Sequence, residues 1–91
     1  MISRRLIISG RVQGVFYRGW TVETARALGV DGWVRNLRTG EVELVASGSA
    51  DAVHALIELC WQGPSAARVD DIAIEELPVE PHKGFSQRPT A

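Results

Sequence analysis

Gly10-Arg11-Val12-Gln13-Gly14-Val15-Phe16-Tyr17-Arg18 separates an apolar, strand-like run from the first helix-like segment of the chain. Gly10 and Gly14 allow a sharp turn and a close approach of backbone to ligand, because no Cβ stands in the way. A strand-to-helix turn aims successive N–H groups at one point. The helix that follows adds its own unpaired N–H groups and the positive end of its dipole. Such a loop is an anion cradle. Arg18 supplies a full positive charge on a planar fork that holds two oxygens of a phosphate at once. This is not a nucleotide P-loop, since no Gly-Lys-Ser/Thr follows Gly14, and the third glycine of the dinucleotide fingerprint is missing.

Outward from the cradle, residues 5–12 place Leu6, Ile8 and Val12 on one parity and Arg5, Ser9 and Arg11 on the other, a half-buried strand. Downstream, residues 18–28 set Thr21, Val22, Ala25 and Leu28 on one helical stripe, and Gly29 follows as a C-cap. Residues 30–37 read as a second strand ending at Asn36. The Arg38-Thr39-Gly40 turn returns the chain into a third strand over residues 41–48, with Val42, Leu44 and Ala46 inward and Glu41 and Glu43 on the solvated face. Ser49 is an N-cap for a helix carrying Val53, Leu56, Ile57 and Cys60 at core spacing until Gly63-Pro64 stops it. Residues 68–77 form a fourth strand with Ile72 and Ile74 in phase and Val69 out of phase, as at a bulge or a late start of the strand. Beyond the loop opened by Pro78 and Pro81, residues 85–88 can make only a short edge strand before Pro89.

The order strand, helix, strand, strand, helix, strand is the split β-α-β plan of an α+β sandwich. It has an antiparallel sheet, both helices on one face and the first strand inside. With 91 residues, the chain is expected to be one domain spanning 1–91. A net charge of −1 and a pI near 6.1 give no general attraction for nucleic acid or anionic membrane, so a positive site must be local and its ligand small. The single cysteine and two distant histidines offer neither a disulfide nor a metal site, and no cofactor is expected. Leu6-Ile7-Ile8 is too short for a signal-peptide core, so a reducing cytoplasm is the expected compartment.

If the cradle holds a phosphoryl group and Asn36 stands beside it, the chemistry is restricted. An asparagine takes no proton, but its amide orients a water for attack. Neither motif carries a histidine or carboxylate to act as general base, so the proton passes most simply to a phosphate oxygen of the substrate. That suffices where the leaving group is already good, as a carboxylate is in a carboxylic-phosphoric anhydride. Positioning and charge stabilisation then supply most of the catalysis.

The cradle motif at 10–18, together with Gly32-Trp33-Val34-Arg35-Asn36 and the Thr39-Gly40 turn, resembles acylphosphatase. The likeness continues through Gln62-Gly63-Pro64 and Ala67-Arg68-Val69-Asp70. The resemblance implies a ferredoxin-like fold and hydrolysis of small acyl phosphates to carboxylate and phosphate, without metal or cofactor. Phosphate would be the product and an inhibitor, and the protein a monomer. It further implies that Gln13, Gly14, Val15, Phe16, Tyr17 and Arg18 bind the phosphate and that Asn36, with Arg18, is catalytic. Two departures stand out. Leu37 follows the motif asparagine where many members carry a small hydroxyl residue, and Gln87 and Pro89 stand where an apolar or aromatic strand would close the sheet.

The competing reading is a module that binds phosphate or acyl phosphate without turning it over. An RNA-binding domain on the same plan would need exposed aromatics and a basic face, whereas the first strand offers Ile7 and Ser9. Trp20, Trp33 and Trp61 are expected in packing or at the surface, Tyr17 as an anchor of the loop, His54 in solvent and His82 in a proline-bounded loop, with neither histidine catalytic.

Overall fold

A computed structural model describes residues 1–91. The elements are β1 (Ile2–Arg11), α1 (Tyr17–Leu28), β2 (Asp31–Asn36), β3 (Val42–Gly48), α2 (Ala50–Cys60), β4 (Arg68–Leu77) and β5 (Phe85–Gln87). They form one five-stranded sheet in the order β4-β1-β3-β2-β5. The β1–β3, β1–β4 and β2–β3 pairings are antiparallel, as the split β-α-β plan requires.

β5 is the addition, and it runs parallel to β2. Because β4 and β5 lie on opposite edges, residues 78–84 must cross the end of the sheet. That is four strand spacings, or ~19 Å, about two thirds of the full reach of a segment of this length. Pro78 and Pro81 favour such extension.

The helix face of the sheet carries Leu6, Ile8, Val34, Val42, Leu44, Ala46 and Ile72, which join Val22 and Ala25 of α1 and Val53 and Leu56 of α2 in one core cluster. Both helices therefore lie on that face. Each end chemistry read from the sequence is present: Gly29 caps α1 at φ 72°, and the Ser49 side chain accepts from the Ala52 N–H at 3.2 Å. Of the two readings of Val69 the structure has the bulge: the strand already starts at Arg68, and the register slips so that Ser9 faces Asp71 while Gly10 faces Val69. It gives Gly10 a role different from the one assigned in the cradle. Gly10 lies within β1 at φ 124°, and a Cβ there would sit 2.2 Å from the Arg68 carbonyl oxygen. Its bare backbone admits the bulged neighbouring strand, not a ligand.

Two residues depart from expectation. Ile74 faces the helix side opposite Leu6 yet is 51% exposed, because α2 lies over β1 and β3 and leaves the edge strand β4 partly uncovered. Glu43 is buried instead of solvated. It takes the Arg35 Nε–H at 2.7 Å and lies 3.3 Å from Arg5 Nε, so the two arginines compensate the charge that β3, in the middle of the sheet, removes from water.

Cys60 is fully buried at the end of α2, and burial pushes its thiol up to about 12. The adjacent Tyr17 hydroxyl donates to the Cys60 carbonyl at 2.6 Å, and burial likewise holds that phenol far above its ordinary range. Native protein is expected to resist iodoacetamide at about pH 8 and to label in urea, since only an accessible thiolate reacts. Native labelling at the rate of a free thiol would displace Cys60 from the core. The folded thiol loses its proton later than the unfolded one, from the ordinary 9.0 up to about 12. This contribution to stability is therefore whole below pH 9 and lost as pH rises toward 12.

Candidate active site

β1, β2 and β5 run parallel to one another, so the ends of all three lie along one edge of the sandwich, where β1 hands over to α1. A hollow of about 140 Å³ opens there, lined by Val12, Gly14, Phe16, Tyr17, Arg18, Gly19, Asn36 and Gln87. Two motifs far apart in sequence thus meet in one depression.

The loop that forms its wall is held open by two left-handed residues. Gly14 sits at φ 74°, with nothing within 4 Å of where its Cβ would be. Phe16 sits at φ 66°, the one non-glycine residue in this region, and is the N-cap of α1 without a side-chain cap. A bulky residue there costs on the order of 1 kcal/mol or more. Its ring lies against Gly19, where an added Cβ would come within 2.4 Å of Cε1, and remains 65% exposed at the rim.

This conformation leaves the N–H groups from Gln13 through Gly19 without protein acceptors. The first turn of a helix always has unpaired donors, but here the preceding loop extends the series and directs it to the same place. Arg18 lies in that first turn. No acidic residue accompanies it there, and no carboxylate comes within 4.0 Å of it. A lone cation against the dipole gains nothing locally. The edge is therefore rich in donors and poor in acceptors, which is the polarity an anion requires.

Asn36 supplies the acceptor. Its backbone is pinned from both sides: it pairs with Val42 of β3, and its carbonyl takes the Ala91 N–H at 3.0 Å. Only 9% of the residue is exposed, and Oδ1 is buried without a hydrogen bond from any protein group. A buried unpaired acceptor costs about 1–3 kcal/mol, so it calls for a functional reason. Leu37, in place of a hydroxyl residue, is held through its backbone: its N–H donates to Glu41 O at 2.8 Å, and its carbonyl accepts from Gly40 N–H and Gln13 Nε2.

The structure sorts the expected ligand set. Gly14, Phe16, Tyr17 and Arg18 line the hollow with Asn36. Gln13 does not line it; its side chain donates to the carbonyls of Leu37 and Glu41, both at 2.8 Å, and so ties the loop to the turn after Asn36. Val15 packs in the core, and the Tyr17 ring is buried, so both reach a ligand only through their backbones. Gly19 and Gln87 are additions. Gln87 carried a signal, as a polar residue where an apolar one was expected; Gly19 carried none, since its meaning depends on the Phe16 ring. No group of three or more His, Cys, Asp or Glu side chains is placed to hold a metal, and no helix is long and apolar enough to cross a membrane.

The geometry and the comparisons converge. The sequence profile of the family described as Acylphosphatase matches residues 4–87. An acylphosphatase of Rhizorhabdus wittichii is 52% identical over 89 residues, covering 98% of this chain and 90% of its own. The crystal structure of acylphosphatase from Bacillus subtilis superposes with a TM-score of 0.94 at 35% identity, covering 97% of this chain and 99% of that one. An acylphosphatase from Coxiella burnetii gives 0.92 at 41% identity, over 96% and 92% of the two chains. The agreement extends over nearly the whole length, in sequence and in backbone: the chain belongs to the acylphosphatase family.

Proposed function

We propose that this hollow hydrolyses acyl phosphates without a metal, through an amide-and-arginine phosphate cradle and a water oriented by Asn36. The observation that carries the reading is the buried, unpaired Oδ1 of Asn36 beside a wall of N–H donors and the free Arg18 guanidinium.

Phosphoryl oxygens take the N–H groups of the loop and the fork of Arg18, and charge-assisted bonds of this kind are the strong ones. Rotation about the soft terminal torsion of Asn36 turns its amide toward the hollow, where Oδ1 accepts from a water and aims the oxygen lone pair at phosphorus. The water oxygen bonds to phosphorus and the bond from phosphorus to the acyl oxygen breaks. The carboxylate leaves with the electron pair, and the proton of the water goes to a phosphate oxygen. A carboxylate is the conjugate base of an acid with pKa about 4, so it needs no protonation to depart. The cradle holds the growing negative charge, and its donors are already in place.

The hollow has room for a phosphoryl group and little else, so the acyl chain extends over the rim beside Phe16. Purified protein is expected to hydrolyse benzoyl phosphate, followed by ultraviolet absorbance, at the same rate with and without EDTA. Activity lost in EDTA and restored by a divalent cation would overturn the metal-free reading. A folded protein without turnover would leave a phosphate-binding module.

A further inference from the structure

The largest concavity lies elsewhere. On the face of the sheet that no helix covers, a hollow of about 370 Å³ has Trp33 and Val45 in its floor, Arg5, Arg35 and Arg88 around it, and the crossing segment with His82 at its edge. That volume is in the range of small-molecule sites, ~300–1,000 Å³. We propose that it is a second ligand site, specific for a small polyvalent anion bearing carboxylate or phosphate groups.

The argument rests on how the three guanidinium groups are held. Arg35 and Arg88 both lie over the Trp33 ring, at 4.8 and 4.4 Å from its centre. A cation–π contact holds the guanidinium near the ring without using any of its N–H donors. Arg35 gives only its Nε–H to Glu43, and Arg5 also approaches Glu43 through Nε. Their terminal nitrogens carry no hydrogen bond. Arg88 has no carboxylate within 4.0 Å.

Three acids stand on this face, Glu43 and Glu80 in the lining and Glu75 across from Arg5, and none of them forms a hydrogen bond with a terminal guanidinium nitrogen. Glu43 is buried and committed to orienting Arg5 and Arg35, while Glu80 is exposed on the crossing segment. Glu75, 3.6 Å from Arg5 Nε, is more than half exposed. Three guanidinium groups around an aromatic floor, two of them over Trp33 and two beside one buried carboxylate, are arranged for an anion larger than a single phosphate. Preorganisation lowers the ordering cost of binding. The arrangement is independent of the hydrolytic site. Side chains alternate along each strand, so Arg35 and Arg88 face this hollow while Asn36 and Gln87 face the other.

The test is a titration followed by NMR, on the folded Arg18→Ala chain so that the cradle does not compete. Citrate and inorganic pyrophosphate are added separately, and the Trp33 indole N–H and the Nε–H groups of Arg5, Arg35 and Arg88 are observed. Saturable shifts at these groups with at least one anion are expected, and the tighter of the two assigns carboxylate or phosphate as the preferred group. Arg88→Gln, at an exposed residue outside the core, is expected to weaken binding at least ~5-fold, as is Arg5→Gln, whereas Arg11→Gln, outside the hollow, leaves it unchanged. Shifts absent up to ~20 mM of either anion, a range that covers even weak binding, would overturn the site. So would shifts confined to residues 13–19, or an equal response of the three variants. None of these readouts depends on turnover.

Discussion

Arg18→Ala is expected to lower kcat/KM for an acyl phosphate by ~10³-fold or more, by analogy with arginines that clamp transferring phosphoryl groups. That corresponds to ~4 kcal/mol of transition-state stabilisation. Two effects combine in it. The guanidinium is the only full positive charge lining the hollow, and in the proposed mechanism its fork takes two oxygens whose charge grows as the acyl bond breaks. Competitive inhibition by inorganic phosphate should weaken in parallel, because the same fork binds the product. Stability supplies the control. Arg18 has no acidic partner in the first turn of α1, so its removal relieves an unfavourable dipole contact and the melting temperature should hold or rise slightly. An active Arg18→Ala protein would remove the residue from the mechanism. Loss of activity together with loss of fold would make it structural.

Asn36→Ala is expected to lower kcat by ~10²-fold or more while leaving phosphate inhibition nearly intact, the pattern for a group that acts on the nucleophile and not on the phosphoryl oxygens. The fold should tolerate the change. The strand end is held by backbone bonds to β3 and to Ala91, and the substitution deletes a buried oxygen that has no partner. Asn36→Asp separates orientation from charge: it keeps an acceptor near the water but sets a negative charge beside the cradle, so phosphate inhibition should weaken with it. If Asn36→Ala abolished phosphate inhibition as well, the residue would be a phosphate ligand and the water would need another guide.

Much of the site was legible because its reporters are local. Arg18 stands in the first turn of a helix with no acid beside it, an arrangement visible in the order of residues and costly unless an anion completes it. Asn36 was legible by motif and by its place at a strand end. The donor-rich wall was legible as a loop, though not its division of labour. That Gln13 turns away to bridge Leu37 and Glu41 follows from the register of the β2–β3 turn, two segments away. The left-handed Phe16 was invisible because phenylalanine gives no sign of positive φ; the surrounding loop imposes it. Gln87 joined the site because β5 pairs parallel with β2, through a connection that crosses the whole end of the sheet.

The open face marks the limit of strand periodicity. Alternation correctly placed Glu43 on the side away from the helices, but that side is not uniformly solvated. In the middle of five strands a side chain is screened by its neighbours on both sides, and Arg5 and Arg35 close over it. Ile74 shows the converse, an apolar residue in the right phase on an edge that the helix does not reach.

By itself the sequence determined the order of elements, their caps, the helix-facing stripe and the two motifs that meet in the hollow, since each is written in spacing over a few residues. Only the tertiary structure decided which glycine serves packing and which serves the loop, which residues of the loop face the hollow, and that Arg35 and Arg88 lie over Trp33 with Arg5 beside them. Those outcomes depend on register between strands and on the path of a long connection, and such distances are set by the packed whole.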